Sequence, residues 1–316
     1  MIDAHLHLFD RDRFSYPWMD GKRLPHTSVL DETEPSADVR PRPAIIVEAG
    51  VRADQAGAEV AWIHSLADLH PEVLGMVAAI DFDSSDYVPQ LKAYAQEPIV
   101  VGVRHNFEGL PAGGLNTAAH RDGIAASIDL GLTVDLCVRA DQLVELARCL
   151  RKLQIAGADT SRCVLDHLGK PLISRWGNDG GAVREAFETW SRCLQQLAAD
   201  TAAAVKISGL GGQLEGAPST RQLADALRTY GGVALEFFGP ERVMVGSDHP
   251  VSTFPRGLRL ADWDATIDGV IRTEWSQTDP CHTGNESASV RAVKAICEDT
   301  ARRFYLDNRP VAATGD

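Results

Sequence analysis

The sequence predicts an α/β fold, a single (β/α)8 barrel of the TIM type that spans residues 1–316. Three observations support this fold class: short apolar runs recur eight times, amphipathic stretches separate them, and titratable residues stand at the ends of several runs. The length also suits it, because such a barrel takes roughly 250 residues. Alternation of strands and helices alone is equally compatible with a doubly wound open sheet.

The eight runs are strand candidates because each is short and rich in Val, Ile, Leu or Ala. Continuous apolar character is typical of strands that are buried on both faces of a parallel sheet. The runs cover residues 2–7, 44–50, 73–80, 99–105, 132–138, 163–167, 203–208 and 242–248.

Apolar residues at helical spacing predict helices between these strands. The predicted helices cover residues 54–69, 141–153, 184–199, 221–230 and 288–305. Two stretches break the rhythm: residues 9–43 are long, polar and contain proline, and residues 108–121 are rich in glycine. We expect both to be loops after a strand, which in a barrel surround the active site.

Composition narrows the class of partner and the compartment. The formal net charge of −13 argues against nucleic-acid binding, which needs a basic face. No signal-peptide pattern and no apolar run of about 20 residues is visible, so we expect a cytoplasmic protein without a membrane partner. The six cysteines form no C-x-x-C pair, and buried reduced thiols are the favoured interpretation. We expect a monomer or a small homo-oligomer.

His5 and His7 lie two residues apart at the end of the first predicted strand. Because side chains alternate along a strand, both imidazoles belong to the same face. In a barrel that face can be the lumen near the carboxyl ends of the strands. The pair therefore favours a functional site over two satisfied core histidines.

Three further titratable residues close other predicted strands: His105 the fourth, His167 the sixth and Asp248 the eighth. Each could simply cap the turn that follows, and Asp248 before His249 and Pro250 is well suited to that role. Their joint occurrence at strand ends is harder to explain by capping. It predicts that they meet at one mouth of the barrel.

Several ordered motifs carry a resemblance that extends over nearly the whole chain. They are Asp3-Ala4-His5-Leu6-His7, Tyr16-Pro17-Trp18-Met19, Gly102-Val103-Arg104-His105, Asp166-His167-Leu168-Gly169-Lys170-Pro171, Lys206-Ile207-Ser208-Gly209-Leu210 and Gly246-Ser247-Asp248-His249-Pro250. Together they resemble the lactonase branch of the amidohydrolase superfamily, the metal-dependent hydrolase group that includes L-fucono- and L-rhamnonolactonases. The resemblance implies a somewhat distorted barrel with its active site at the carboxyl ends of the strands.

The resemblance also implies site residues: the first-strand pair is His5 and His7, the sixth-strand histidine is His167, and the eighth-strand aspartate is Asp248. The chain departs from the family pattern at two positions. His249 stands where these lactonases usually have Trp, and Glu48 stands where the second strand usually ends in Val-Gln-Ala. Glu48 is suited to be a ligand, a base or a salt-bridge partner.

These residues suggest how the ring of a sugar-acid lactone would be opened. We expect the reaction to belong to carbohydrate catabolism. Asp248 is the candidate general base, and His5, His7 and His167 bind a metal with it or polarise the carbonyl directly. This set of three nitrogens and one oxygen suits one divalent ion, best zinc, although a reactive lactone also allows none. The fifth strand offers Asp135 but no histidine, so a two-metal set is incomplete.

We assign substrate binding to a second group of side chains. The planar guanidinium of Arg104 can hold substrate hydroxyl or carboxylate oxygens, and a salt bridge to a neighbouring acid is the equal alternative. Aromatic rings in the loops can form a wall for a sugar ring or serve as packing anchors. The predicted substrate-binding residues are Arg104, His105, Trp18, Glu48, Trp176 and His249.

Two other function classes stay open at this stage. The same superfamily includes metal-dependent decarboxylases and hydratases with similar first-strand and eighth-strand residues. A barrel that binds a sugar acid without turning it over is the non-catalytic alternative. The first hypothesis is a hydrolase of carboxylic ester bonds that takes a small-molecule lactone.

Overall fold

Eight parallel strands, each paired with the next one along the chain, form a nearly closed barrel in the computed structural model, which describes residues 1–30, 42–173, 182–275 and 286–307. The strands are β1 (Asp3–Leu6), β2 (Phe9–Asp10), β3 (Thr27–Ser28), β4 (Ala44–Val47), β5 (Val73–Ala79), β6 (Val100–Asn106), β7 (Thr133–Cys137), β8 (Cys163–Leu165), β9 (Ala204–Ile207) and β10 (Val243–Val245). The barrel follows the order β1-β4-β5-β6-β7-β8-β9-β10. All eight predicted strands are therefore confirmed, with bounds shifted by one to three residues at most ends.

The barrel seam is the junction between β1 and the segment that follows β10. The Asp248 amide donates to the His5 carbonyl at 2.8 Å, and the His7 amide donates to the His249 carbonyl at 3.0 Å. Gly246 lies against His5 at this seam, where a Cβ atom would come within 2.6 Å of the His5 Cβ. The register also shifts between β1 and β4, β4 and β5, and β5 and β6, which agrees with the expected distortion.

The helices lie between the strands and confirm the predicted amphipathic stretches. They are α1 (Ala56–Ala67), α2 (Tyr87–Gln96), α3 (Ala118–Asp129), α4 (Leu143–Ile155), α5 (Ala182–Asp200), α6 (Leu210–Gln213), α7 (Thr220–Ala226), α8 (Gly232–Phe238), α9 (Leu260–Thr273), α10 (Glu286–Lys294) and α11 (Thr300–Arg302). Short π-helical turns at Leu227–Gly231, Ala295–Asp299 and Arg303–Asp307 extend α7, α10 and α11.

Two predicted loops contain regular structure. Helix α3 begins inside the predicted loop 108–121, because the Thr117 side chain accepts a hydrogen bond from the His120 amide and caps the helix. The predicted loop 9–43 carries the antiparallel pair β2–β3 and a 3-10 turn at Pro17–Met19 in its described part. Each strand of that pair has only two residues, too few to give an alternating pattern in the sequence.

Apolar side chains pack on both sides of the barrel wall. Ile45 and Val47 point into the barrel and pack with residues of the neighbouring strands, whereas Ile46 between them packs outward against the helices. Phe304 and Tyr305 from the last turn join the inner cluster. The apolar residues inside therefore leave the carboxyl ends of the strands to polar side chains.

Five cysteines lie in the described part of the chain, and all five carry free thiols, four of them buried. Burial raises the pKa of the Cys149 and Cys137 thiols to about 12, so both stay protonated at neutral pH. None of the described helices is both long enough and apolar enough to cross a lipid bilayer.

Helix α1 buries a carboxyl group behind the barrel. Glu59 is 1 % exposed, and its Oε1 accepts a hydrogen bond from the Ala49 amide at 3.3 Å. Burial and the nearby negative charge of Glu48 raise the pKa of Glu59 to about 8. The folded chain therefore holds a proton on Glu59 at pH 7 that the unfolded chain releases.

We expect Gly246→Ala to lower the free energy of unfolding by about 1–3 kcal/mol, because its Cβ forces β1 away from the seam. The matched control is Gly269→Ala in α9, where the new Cβ meets no atom within 4 Å and the helix gains about 0.5–1 kcal/mol. Urea titration of both variants measures the two changes. Equal stability of the variants would contradict the close approach at the seam.

We expect the wild-type free energy of unfolding to fall by about 2 kcal/mol more between pH 6 and pH 8 than that of Glu59→Gln. The folded pKa of about 8 lies above the ordinary value of 4.5, so the stabilising proton is fully present below pH 4.5 and is lost as the pH rises through 8. Glutamine keeps the neutral form at every pH. Denaturant titrations at pH 6, 7 and 8 measure the difference, and parallel pH profiles would refute a neutral Glu59.

Candidate active site

Four side chains meet at the carboxyl end of the barrel. His5 and His7 come from β1 and its end, His167 follows β8, and Asp248 follows β10. The Nε2 atoms of His5 and His7 lie 3.2 Å apart, as the period-2 spacing predicts. Oδ1 of Asp248 lies 3.0 Å from Nε2 of His7, 3.6 Å from that of His5 and 3.9 Å from that of His167. We call these four residues the cup cluster.

The second ring nitrogen of each imidazole is held by its surroundings. Nδ1 of His7 lies 3.0 Å from the Val47 carbonyl, and Nδ1 of His167 lies 2.8 Å from the Ser208 hydroxyl. Nδ1 of His5 lies 3.2 Å from a carboxylate oxygen of Asp166. These contacts fix the ring orientations and leave the three Nε2 atoms facing the centre of the cup.

The backbone is strained where two members of the cup cluster stand. His167 has φ of 54° and Asp248 has φ of 52°, values in the left-handed region that non-glycine residues rarely adopt. Gly209 supports this geometry, since a Cβ atom there would come within 2.7 Å of the His167 ring. Such strain costs on the order of 1–3 kcal/mol for each residue and concentrates at functional sites.

The charge states of the cluster differ. Burial opposes ionisation of Asp248, but the imidazoles of His167, His7 and His5 outweigh it and hold its pKa well below the usual range. Burial lowers the pKa of His167 to about 4 and lowers that of His5 well below its ordinary value. The remaining carboxylate oxygen of Asp248 accepts a hydrogen bond from the Ser252 hydroxyl. Burial therefore favours neutral rings at His5 and His167 beside the ionised Asp248 carboxylate.

These donor atoms fit a divalent cation. Because the Val47 carbonyl can only accept, Nδ1 of His7 carries the hydrogen, and the lone pair on its Nε2 faces the Asp248 carboxylate. Two acceptors at 3.0 Å are stable only with a proton or a cation between them. A tetrahedral ion with bonds of about 2.1 Å separates its ligand atoms by roughly 3.4 Å, and the ligand atoms of His5, His7 and Asp248 lie 3.0–3.6 Å apart. His167 lies 3.9 Å from Asp248 and forms a second candidate group with His5 and Asp166.

A fully buried polar network lies beneath the cup cluster. The Lys206 ammonium contacts Asp135 and lies 3.1 Å from Asp166 and 3.3 Å from Nδ1 of His5. The Tyr305 hydroxyl donates to the other oxygen of Asp135 at 2.7 Å. Burial raises the pKa of Asp135 to about 6, although the Lys206 charge opposes this. The network connects His5 to β7, β9 and the last helical turn.

Asp166 and Lys206 belong to motifs that the sequence analysis singled out, but neither was assigned a role in the site. The available signal was a charged residue inside an otherwise apolar strand run, as Lys206 is in Ala204–Ile207. Such a charge is almost never buried without a partner. The partners come from strands distant in the sequence, so the sequence alone could not pair them.

An open cavity of about 580 Å³ lies above the cup cluster, a volume suited to a small-molecule ligand. Arg104, Glu48 and Trp18 line it, together with three members of the cup cluster. Nε of Arg104 donates to a Glu48 carboxylate oxygen at 2.6 Å, so the salt-bridge alternative describes this arginine. The indole N–H of Trp18 donates to the Ala49 carbonyl at 2.6 Å, which fixes the ring at the wall.

Cationic side chains that the sequence analysis missed stand at the rim of the cavity. The Lys22 ammonium lies 4.5 Å from the centre of the Trp18 ring, and Lys170 forms an ion pair with Glu108. An adjoining cavity of about 380 Å³ is also lined by Lys22 and Lys170, with Arg256. Acidic side chains, Glu48, Asp81 and Glu108, line the larger cavity, so its wall offers both hydrogen-bond donors and acceptors to an oxygen-rich ligand.

Two of the predicted substrate-binding residues, His105 and His249, are not brought to the cavity wall. The His105 ring lies on the outer side of the barrel wall, because strand alternation turns it away from its neighbour Arg104. His249 is buried, and its Nδ1 lies 2.7 Å from the Thr253 hydroxyl. Trp176 lies outside the described residues. The substrate-binding expectation for His105 and His249 therefore finds no support in the geometry.

Two curated proteins are similar to this chain over almost their whole length. The uncharacterized protein y4mH of Sinorhizobium fredii is 26% identical, over 96% of this chain and 98% of that protein. The L-fucono-1,5-lactonase of Burkholderia multivorans is also 26% identical, over 99% of this chain and 98% of the lactonase.

Solved structures share the fold. A zinc-bound amidohydrolase from Burkholderia multivorans aligns with a TM-score of 0.72 at 22% identity, covering 96% of this chain and 98% of that one. A 2,6-dihydroxybenzoate decarboxylase from Rhizobium aligns with a TM-score of 0.55 at 14% identity, over 96% and 97% of the two chains. At these identities the likeness concerns the fold alone.

A family model described as amidohydrolase matches residues 2–306, almost the whole chain. The match includes every strand of the barrel, the four residues of the cup cluster and the buried network beneath them. The chain belongs to the amidohydrolase family.

Proposed function

We propose that this protein hydrolyses the ester ring of a small sugar-acid lactone. The observation that carries the proposal is the cup cluster itself, in which an ionised Asp248 lies within 3.9 Å of three imidazole nitrogens at the floor of an open cavity. The similarity to an L-fucono-1,5-lactonase over almost the whole chain supports the choice of a lactone. An oxygen-rich ring also matches the cationic and carboxylate side chains that line the cavity.

Asp248 acts as the general base in this proposal. Its carboxylate takes a proton from a water molecule whose oxygen attacks the lactone carbonyl carbon. The bond between that carbon and the ring oxygen then breaks, and Asp248 returns the proton to the leaving alkoxide. The product is an open-chain hydroxy acid, and water is the only co-reactant.

The cavity wall holds the substrate during this reaction. Trp18 offers an indole face to the sugar ring, and Lys22 beside it carries a positive charge for hydroxyl or carboxylate oxygens. The salt bridge to Glu48 fixes the Arg104 guanidinium, whose Nη1 lies 3.4 Å from Nε2 of His5. Arg104 therefore keeps its charge at the floor of the cavity, where negative charge develops on the substrate.

The cup cluster is also the proposed site of one divalent ion, with zinc as the best match to three nitrogens and one oxygen. The similar fold of a zinc-bound amidohydrolase supports this choice. When bound, the ion would supply Lewis-acid polarisation and make water more acidic. His5, His7, His167 and Asp248 would hold it, and the contacts to their second ring nitrogens would keep them in place.

Decarboxylation is a weaker candidate, because the decarboxylase is related at 14% identity and that likeness concerns the fold alone. A binding barrel without turnover is compatible with the strained backbone at His167 and Asp248, since such strain is retained where a reaction or a ligand needs it. The assay below distinguishes all three functions.

We expect the purified protein to open L-fucono-1,5-lactone or a related γ- or δ-sugar lactone, with acid release recorded by a pH indicator. Asp248→Asn should lower kcat about 10²–10⁴-fold, because the amide cannot take a proton. Asp122→Asn, at an exposed position on α3, is the control and should keep full activity. Carbon dioxide release from aromatic acids without lactone turnover would replace the proposal with decarboxylation. Absence of turnover of every lactone and aromatic acid tested would favour a binding barrel.

We expect dialysis against a chelator to lower lactonase activity at least about tenfold, and added zinc to restore it. His7→Gln should abolish the restoration, because it removes one of the four donor atoms from the cup cluster. Metal content measured by mass spectrometry before and after dialysis checks the stoichiometry. Full activity in a protein freed of metal would show that the residues alone carry the reaction.

A further inference from the structure

A second cluster of imidazoles and carboxylate lies on the outer side of the barrel wall, away from the cup cluster. It consists of His105 on β6, His120 on α3 and Asp83 in the loop after β5. One nitrogen of each ring and one carboxylate oxygen lie within 4.8 Å of one another. We call these three residues the outer cluster, and none of them lines the cavity described above.

Each histidine of the outer cluster has its Nδ1 held by the backbone. Nδ1 of His105 lies 3.2 Å from the Phe82 amide nitrogen and 3.3 Å from the Ile80 carbonyl oxygen. Nδ1 of His120 lies 3.0 Å from the Leu115 carbonyl, which can only accept, so this nitrogen carries the ring hydrogen. The lone pair on Nε2 then faces a carboxylate oxygen of Asp83 at 3.1 Å. As in the cup, two acceptors at this distance require a proton or a cation between them.

Aromatic rings enclose the pair of imidazoles. Phe82 stacks on His105 with ring centres 5.3 Å apart, and Phe107 lies 4.6 Å from His105 and 5.2 Å from His120. Both histidines are almost fully buried, whereas the Asp83 side chain is 58% exposed. The rings are therefore held rigidly, and the exposed carboxylate can move the short distance needed to close around an ion that enters from solvent.

We propose that the outer cluster binds one divalent ion of the class that prefers imidazole with carboxylate, such as zinc. Two imidazole nitrogens and one carboxylate oxygen provide three ligands, and solvent completes the coordination. The ion connects the loop after β5, the strand β6 and the helix α3, so its role is structural. The proposal is independent of the reaction assigned to the cup cluster.

Zinc titration of the metal-free protein in competition with a chromophoric chelator tests the proposal. We expect a binding event in Asp248→Asn, where the cup cluster is impaired, that weakens at least about tenfold when Asp83→Asn is added. The matched control is Asp86→Asn, an exposed aspartate of the same loop, which should leave zinc binding unchanged. His120→Gln should have the same effect as Asp83→Asn. If the buried substitution at His120 prevents folding, the test still rests on Asp83→Asn, because Asp83 is exposed.

A second readout distinguishes this site from the cup. Zinc should raise the unfolding midpoint of Asp248→Asn but not that of the double variant with Asp83→Asn. Asp83→Asn alone should turn over lactones at the same rate as the wild-type protein. The zinc titration does not depend on whether the wild-type protein is a lactonase. Identical zinc titrations with and without Asp83 would overturn the proposal and leave the outer cluster as a hydrogen-bonded ion pair.

Discussion

Two backbone hydrogen bonds at the barrel seam determine the geometry on which the whole site depends. They join His5 to Asp248 and His7 to His249, so the first strand and the segment after the last strand are fixed side by side. The imidazoles and the carboxylate then meet without any flexible loop between them. Groups held by strand ends keep the small distances that proton transfer or ion binding requires. Gly246 allows this contact because any side chain there would collide with the first strand.

The floor of the barrel shows how the fold tolerates so many buried charges. Lys206 is fully buried and contacts the carboxylates of Asp135 and Asp166. The Tyr305 hydroxyl donates to Asp135, so the four side chains form one continuous network. Buried ion pairs of this kind add little net stability, since their desolvation cost is comparable to their attraction. Their effect is on orientation: Asp166, fixed by Lys206, holds one nitrogen of His5. The orientation of the His5 ring in the cup cluster is thus fixed by buried charges beneath it.

The sequence predicted the barrel and the core of the cup because both follow from local patterns. Apolar runs marked all eight strands, and the spacing of His5 and His7 implied a shared face. Three things lay beyond such reasoning. Successive side chains of a strand point to opposite faces, so His105 points outward because Arg104 points inward. Its position at the strand end does not reveal which of the two residues faces the barrel interior. The pairing of Asp135 with Lys206 depends on register around the barrel, which is a long-range property. Short elements such as α6 carry too few residues to form a pattern.

The position of Tyr305 inside the barrel has a consequence for the order of folding on the ribosome. Its hydroxyl reaches Asp135, and the Cys297 carbonyl accepts from the Ile2 amide, so early and late segments of the barrel meet in the folded protein. His7 leaves the ribosome 241 residues before Asp248. At about 5–20 residues per second, this interval lasts on the order of ten to fifty seconds. Throughout it the first strand has no partner on one edge, and the cup cluster can form only after Asp248 has been synthesised.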